Sequence, residues 1–332
     1  MLQATQSRPA GALFDRPGYV RPRPERRHLI SIDDLSGAEL RHLAARGAEF
    51  AAGAEADGLR GQVVGVLFRK TSTRTRTAFS AGALRLGGGV VTYGPGDLQE
   101  NTGEEVSDTA AVLSRVLDVL VARTAGPESE LRAYAAQRRM AVVNAMSATE
   151  HPTQALADLT TLLRRFGRIE DLHVVYVGEG NNTATALTLA LARFRGVRLT
   201  LRTPPGYGVP AEYLERAAVY TARSGAVVEQ RHDMAELPEA DVVYTTRWQT
   251  TGTAKPSADW REVFAPFQVR EETLTATGGP VFMHDLPAHR GEEVTGGVLD
   301  GPASIAFDQA ENKFHSARAV LEWCADPTTE RY

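Results

Sequence analysis

The segment Phe68-Arg69-Lys70-Thr71-Ser72-Thr73-Arg74-Thr75-Arg76 gathers hydroxyl and guanidinium groups into one short run. It follows Val63-Val64-Gly65-Val66-Leu67-Phe68, an apolar run of strand length, and precedes Ala78 to Leu84, which reads as the start of a helix. A strand handing over to a helix leaves free backbone N–H groups at the positive end of the macrodipole, where an anion is favoured. Ser and Thr hydroxyls add neutral donors, and Arg adds a planar fork that matches phosphate oxygens. The competing reading is an N-cap followed by a solvated basic turn.

A second run, Glu150-His151-Pro152-Thr153-Gln154-Ala155-Leu156-Ala157-Asp158, has Pro152 placed as a first helical residue, so His151 and Gln154 fall at the helix entry. An imidazole, neutral or protonated, can polarise a carbonyl, and a side-chain amide can accept from an NH₂ group. His151 as a simple helix cap is the alternative. Arg123 ends the apolar run Val119-Leu120-Val121-Ala122, where ligands of open α/β sheets bind; alone it could equally be a surface arginine.

These residues need a scaffold of alternating strands and helices. Ser36 and Glu39 form a capping-box pattern before a helix, strands are predicted at 63–68, 90–93 and 119–122, and helices run to Leu86 and through Arg115. A helix from 153 to 165 leads to a second set of strands: 172–178, 197–201, 227–229, 241–244, 281–283 and 303–307. The predicted fold class is α/β, two doubly wound parallel-sheet domains joined by helices. The expected division is a flexible arm over 1–27, a donor domain over 28–155 completed by a C-terminal helix 309–325, and an acceptor domain over 156–308. Gly178-Glu179-Gly180-Asn181-Asn182-Thr183 is a partial dinucleotide-type glycine pattern without its third glycine, and the strand after it ends in Arg202 rather than an acid.

The stretch through Ser72-Thr73-Arg74-Thr75-Arg76 resembles the carbamoyl-phosphate signature of the aspartate and ornithine carbamoyltransferases, and His151-Pro152-Thr153-Gln154 resembles their second signature. The resemblance covers about residues 28–323. It implies transfer of a carbamoyl group from carbamoyl phosphate to a primary amine, giving a ureido product and phosphate. Ser72, Thr73, Arg74, Thr75 and Arg123 would hold the phosphate, and Arg123, His151 and Thr75 would stabilise the carbonyl oxygen. Gln154 would orient the NH₂ group, Lys313 would lie near carbamoyl phosphate, and Gln99 would reach it across a subunit boundary of a homotrimer. Asn182, Arg247, Gln249 and the His284-Asp285-Leu286-Pro287 turn would take the acceptor. No metal or organic cofactor is implied.

Asp308 to Asn312 and Asp108-Thr109-Ala110 resemble the ornithine branch, but three departures separate the chain from it. Asp285 stands where that branch has a cysteine, Lys313 where it has an arginine, and Thr246-Arg247-Trp248-Gln249 resembles the aspartate branch. Asp285 could pair with an ammonium, or could face His284 or a backbone cap. Arg247 suits a carboxylate, or an interdomain ion pair. The expected acceptor therefore bears a carboxylate and is not ornithine; ornithine is the alternative, and a non-catalytic carbamoyl-phosphate-binding homologue a remote one.

The bulk sequence agrees. At 332 residues, 42% hydrophobic and 23% charged, the chain can bury two cores and has no run that would span a bilayer. Lys+Arg 37 against Asp+Glu 41 gives a formal charge of −4, with no global basic field for nucleic acid, so a phosphate site must be local. The single cysteine, Cys324, rules out an internal disulfide and reads as a buried apolar side chain. The Arg- and Pro-rich first 27 residues do not read as a secretory signal, and a cytoplasmic location is expected.

Overall fold

The computed structural model describes residues 26–249, 255 and 258–325; the arm expected over 1–27 lies outside them except for its last two residues. The first half runs α1 (Gly37–Ala51), β1 (Val63–Phe68), α2 (Arg74–Arg85), β2 (Gly89–Tyr93), α3 (Val106–Val116), β3 (Val119–Arg123), α4 (Glu128–Ala135) and β4 (Ala141–Met146). Helix α5 (Pro152–Phe166) carries the chain over to β5 (His173–Val177), α6 (Asn182–Leu191), β6 (Arg198–Arg202), α7 (Ala211–Ser224), β7 (Val227–Arg231) and β8 (Val242–Thr245). Short helices α8 (Trp260–Phe264) and α9 (Glu271–Ala276), β9 (Val281–His284), α10 (Gly296–Leu299) and the long α11 (Ala306–Ala325) complete it.

The strands form two parallel sheets, β2-β1-β3-β4 and β7-β6-β5-β8-β9. The near-continuous apolar runs of β3, β4 and β5 are buried along their whole length, as strands covered by helices on both faces must be. In each sheet the strand order reverses once, between β1 and β3 in the first and between β5 and β8 in the second. A crevice opens beyond the strand carboxyl ends at such a reversal. One apolar cluster, including Val64, Val121, Leu156, Val174, Leu199 and Val320, runs through both sheets. Helix α11 packs on α1, α2 and α5, so the C-terminus returns to the first half of the molecule.

Two local details differ from the sequence expectation. The strand expected at 303–307 is one isolated bridge, Phe282 to Ser304, because α11 begins at Ala306 and commits the following backbone to helical bonds. Helix α4 was not expected; Glu128 and Glu130 in its first turn, after Pro127, are the signal for it. The capping box at Ser36 and Glu39 forms as expected, and Cys324 is buried, its thiol pushed up to about 12 by burial.

Glu150 ties the entry of α5 to the N-terminal segment. Its carboxylate accepts from Ser31 Oγ and Ile32 N–H, each at 2.6 Å. Burial pushes its carboxyl up to about 7 from an ordinary 4.5, against the lowering effect of those two donors. A folded carboxyl with a raised pKa binds its proton more tightly than the unfolded chain does. Stability therefore falls as pH rises from about 4.5 to about 7 and is level above. Glu150→Gln should remove a contribution of about 3 kcal/mol to that fall. Urea denaturation of both proteins at pH 5 and pH 8 checks this; parallel pH dependence in the two would refute it.

Candidate active site

Beyond the carboxyl ends of both sheets lies a cavity of about 290 Å³. The first sheet's side supplies Thr71, Ser72, Thr73, Arg74, Thr75, Arg123 and Met146, and the entry of α5 supplies His151 and Gln154. The second side supplies Asn181, Asn182, Thr183, Thr246, Arg247, Gln249, Asp285, Leu286 and Pro287, and α11 contributes Lys313. Nearly all the expected site residues are thus brought together. Two are not: His284 is buried beneath the turn, and Gln99 lies exposed on a 3-10 helix, Gln99–Thr102, outside the cavity of this chain.

Neither helix entry is capped by its own side chain. Thr73 precedes α2 without a side-chain cap bond, and the first turn of α2 holds no acid to occupy its N–H groups. His151 likewise makes no cap bond at α5. Parallel register sets Phe68 beside Arg123, and Arg69 N–H donates to the Arg123 carbonyl at 3.0 Å, which brings the Arg123 side chain beside the turn into α2. Arg69 itself is taken by Glu100 and Glu130.

Four cations line the cavity, Arg74, Arg123, Arg247 and Lys313, against one carboxylate, Asp285. Burial and the neighbouring Arg74 push Arg123 down to about 10. Burial pushes Lys313 down to about 8, opposed by Asp285. Among the described residues, the guanidinium groups of Arg74, Arg123 and Arg247 have no ion-pair or hydrogen-bond partner, and each has a buried Nε without one. The interdomain ion pair weighed for Arg247 is therefore absent among the described residues. Such a surplus of desolvated positive charge is the electrostatic image of an anion. Burial, with Lys313 and Arg123 nearby, holds His151 well below its ordinary pKa, so the imidazole is neutral.

On the second side, Asp285 faces neither His284 nor a backbone cap as its main partner. Thr183 Oγ1 donates to Asp285 Oδ2 at 2.9 Å and Thr246 Oγ1 to Oδ1 at 2.9 Å. His284 Nδ1 accepts from Leu286 N–H at 2.8 Å, which leaves Nε2–H to donate to buried Glu293 at 3.2 Å. Leu286 adopts φ +51°, a left-handed conformation unusual for a branched residue, at the turn beside Asp285. Glu293 also gathers with His289 and Glu292, the one group of metal-ligating side chains found among the described residues; its Oε1 already serves His284 and the His289 N–H.

The glycine pattern after β5 has a steric explanation. A Cβ on Gly180 would lie 2.0 Å from the Val209 nitrogen, so glycine is needed for the close approach of two chain segments. Asn181 caps α6 through the Thr183 and Ala184 N–H groups, and Asn182 donates its amide to the Ser147 carbonyl at 2.9 Å. Two residues had no assigned role from sequence. Thr183 holds Asp285, and Asp158, one turn after Gln154, accepts the Gln154 amide at 2.7 Å. The four-residue spacing on α5 was the available signal for the second.

Residues 27–164 match the family described as aspartate/ornithine carbamoyltransferase, carbamoyl-P binding domain, and residues 170–324 match its Asp/Orn binding domain. The chain belongs to the aspartate/ornithine carbamoyltransferase family. Members similar to it include the ornithine carbamoyltransferase of Thermococcus kodakarensis, 42% identical over 79% of this chain and 84% of that protein. That of Gloeobacter violaceus is 38% identical over 92% of this chain and 96% of its own. Among solved structures, the Pyrococcus furiosus ornithine carbamoyltransferase superposes with a TM-score of 0.84 at 36% identity, covering 90% of this chain and 96% of that one. This family member is accordingly a carbamoyl-phosphate-dependent transferase, with α/β domains of four and five parallel strands. No helix among its described residues is long and apolar enough to cross a membrane.

Proposed function

We propose that the chain carbamoylates the side-chain amine of ornithine, giving citrulline and phosphate, as a cytoplasmic homotrimer. The donor side rests on one observation: unpaired, desolvated Arg74 and Arg123 beside a neutral His151 and a buried, unpartnered Gln154 Oε1. That set complements a phosphate, a carbonyl oxygen and an NH₂ group in order. Ser72, Thr73, Arg74, Thr75 and Arg123 bind the phosphate, with Lys313 adding charge. Thr75, Arg123 and His151 stabilise the oxygen as the amine attacks the carbonyl carbon. The C–O bond to phosphate then breaks, and the leaving phosphate takes the amine's proton. Holding both reactants in one cleft removes much of the entropic barrier without a covalent intermediate. The donor domain (28–155, with the C-terminal helix) and the acceptor domain (156–308) would close over the pair, and Gln99 would serve a neighbouring subunit's site.

Ornithine is supported by relatives of that name along most of the chain, in place of the different acceptor first expected from Arg247 and Gln249. A zwitterionic amino acid also suits the acceptor wall, where Asn182, Gln249 and Leu286 surround the Arg247 cation and the Asp285 carboxylate. A second reading, a carboxylate-bearing amine of another length, is favoured by Arg247 and Gln249 on the cavity wall. Phosphate release should be measured with ornithine, lysine, aspartate, putrescine, diaminopropionate and β-amino acids. Ornithine is expected to give the highest kcat/KM. Turnover of another amine with ornithine inert would overturn the assignment.

A further inference from the structure

Gln154 is the cavity residue whose usefulness depends on which way its amide faces. Its Nε2 donates to Asp158 Oδ1 at 2.7 Å, and its Oε1 is buried with no partner among the described residues. Asp158 is fully buried, and each of its side-chain hydrogen bonds is accepted from a donor. Gln309 Nε2 reaches the same Oδ1 at 2.7 Å, and the Tyr244 phenol donates to Oδ2 at 3.1 Å. Burial pushes the Asp158 carboxyl up to about 7, against the lowering effect of the Gln309 and Gln154 amides, and its ionised form offers only acceptors. Were the Gln154 amide turned over, its carbonyl oxygen would meet the carboxylate oxygen, and two acceptors would face each other in a dry interior. Helix geometry makes this interlock available, since residues four apart on α5 are neighbours. Gln309 in turn accepts the His284 N–H at 2.8 Å, so the same carboxylate is tied to the turn that carries Asp285.

We propose that Asp158 is a positioning residue that locks the Gln154 amide with Oε1 towards the donor's NH₂ group, so that the site selects a carbamoyl phosphate over an acyl phosphate of the same shape. A methyl group in place of NH₂ would leave Oε1 buried and unpaired, whereas NH₂ satisfies it; the lock prevents the amide from rotating to hide the difference. Asp158 touches no reacting atom in this scheme. The inference rests on the Gln154 assignment made above.

The test compares ligands with and without the NH₂ group. Asp158→Ala should raise KM for carbamoyl phosphate about tenfold or more, while the competitive Ki values of inorganic phosphate and acetyl phosphate stay within about twofold. Gln154→Ala should do the same, and the double variant should add nothing further, since both changes remove one interaction. Asp158→Asn should hold KM within about threefold: its amide oxygen can accept from Gln154 and Gln309, while its NH₂ donates to the Tyr244 oxygen. Parallel rises in KM and in the phosphate Ki would make Asp158 merely structural and overturn the proposal. So would additive losses in the double variant. Should Asp158→Ala not fold, Asp158→Asn decides: a loss of tenfold or more would show that charge, not amide orientation, is what matters. A silent Gln154→Ala would sink the Gln154 assignment and this inference together, whereas a silent Asp158→Ala beside a responsive Gln154→Ala would sink the inference alone.

Discussion

Arg123→Met is expected to lower kcat/KM by about a thousandfold and to raise the melting temperature of the ligand-free enzyme by several degrees. Both effects have one origin. Arg123 is 8% exposed, lies near Arg74, and its guanidinium has no ion-pair or hydrogen-bond partner among the described residues. In the free enzyme it bears desolvation and like-charge repulsion that Asp285 only partly offsets, which is why its pKa is lowered. Methionine fills comparable space without the charge. With carbamoyl phosphate bound, the same group meets a phosphate and a carbonyl oxygen that gains charge in the transition state. Two charge-assisted bonds at roughly 1.5–3 kcal/mol each correspond to a loss of about a thousandfold. Arg123→Lys should recover little, because a point charge cannot span both oxygens. Steady-state kinetics and thermal melts of the free protein check the pair of effects. A loss under tenfold, or a fall in melting temperature, would contradict this account.

The donor half of the site was legible because it is local. Residues 68–76 and 150–158 are each one strand-to-helix or loop-to-helix junction, so residue type, spacing and element boundary coincide within nine positions. The parallel sheet topology followed from alternating elements, and the reversal between β1 and β3 falls where residues 68–76 and Arg123 sit. The acceptor half resisted because its contacts are remote. Asp285 is held by residues 39 and 102 positions away, and nothing near it in the chain distinguishes that arrangement from a pairing with the adjacent His284. Asp158 was in plain view, but its role depends on Tyr244 and Gln309, which reach it across 86 and 151 residues. The expected strand at 303–307 failed for a different reason. Ala303-Ser304-Ile305-Ala306-Phe307 is a short, mostly apolar run that periodicity cannot assign to strand or helix entry, and Phe307 proves to be exposed in the first turn of α11.

The acceptor assignment turns on Arg247 and Asp285, which follow the ends of neighbouring strands, since Thr245 pairs with His284 in parallel register. Arg247→Ala should raise the apparent KM for the amine about a hundredfold and leave KM for carbamoyl phosphate within about threefold. The size follows from truncating a bidentate charge-assisted pair in a half-enclosed cleft. An equal rise in both constants would place Arg247 on the donor instead. Asp285→Asn then distinguishes what the carboxylate faces. A carboxylate beside the attacking amine stabilises its ammonium form and raises the pH at which it becomes nucleophilic. Removing that charge would move the rising limb of the kcat–pH profile to lower pH. If Asp285 instead holds a second, unreactive ammonium, as the α-amino group of ornithine would provide, the acceptor KM rises and the kcat profile stays where it is. The second result is the expected one, because an acceptor whose only amine pairs with Asp285 would be held in its unreactive form.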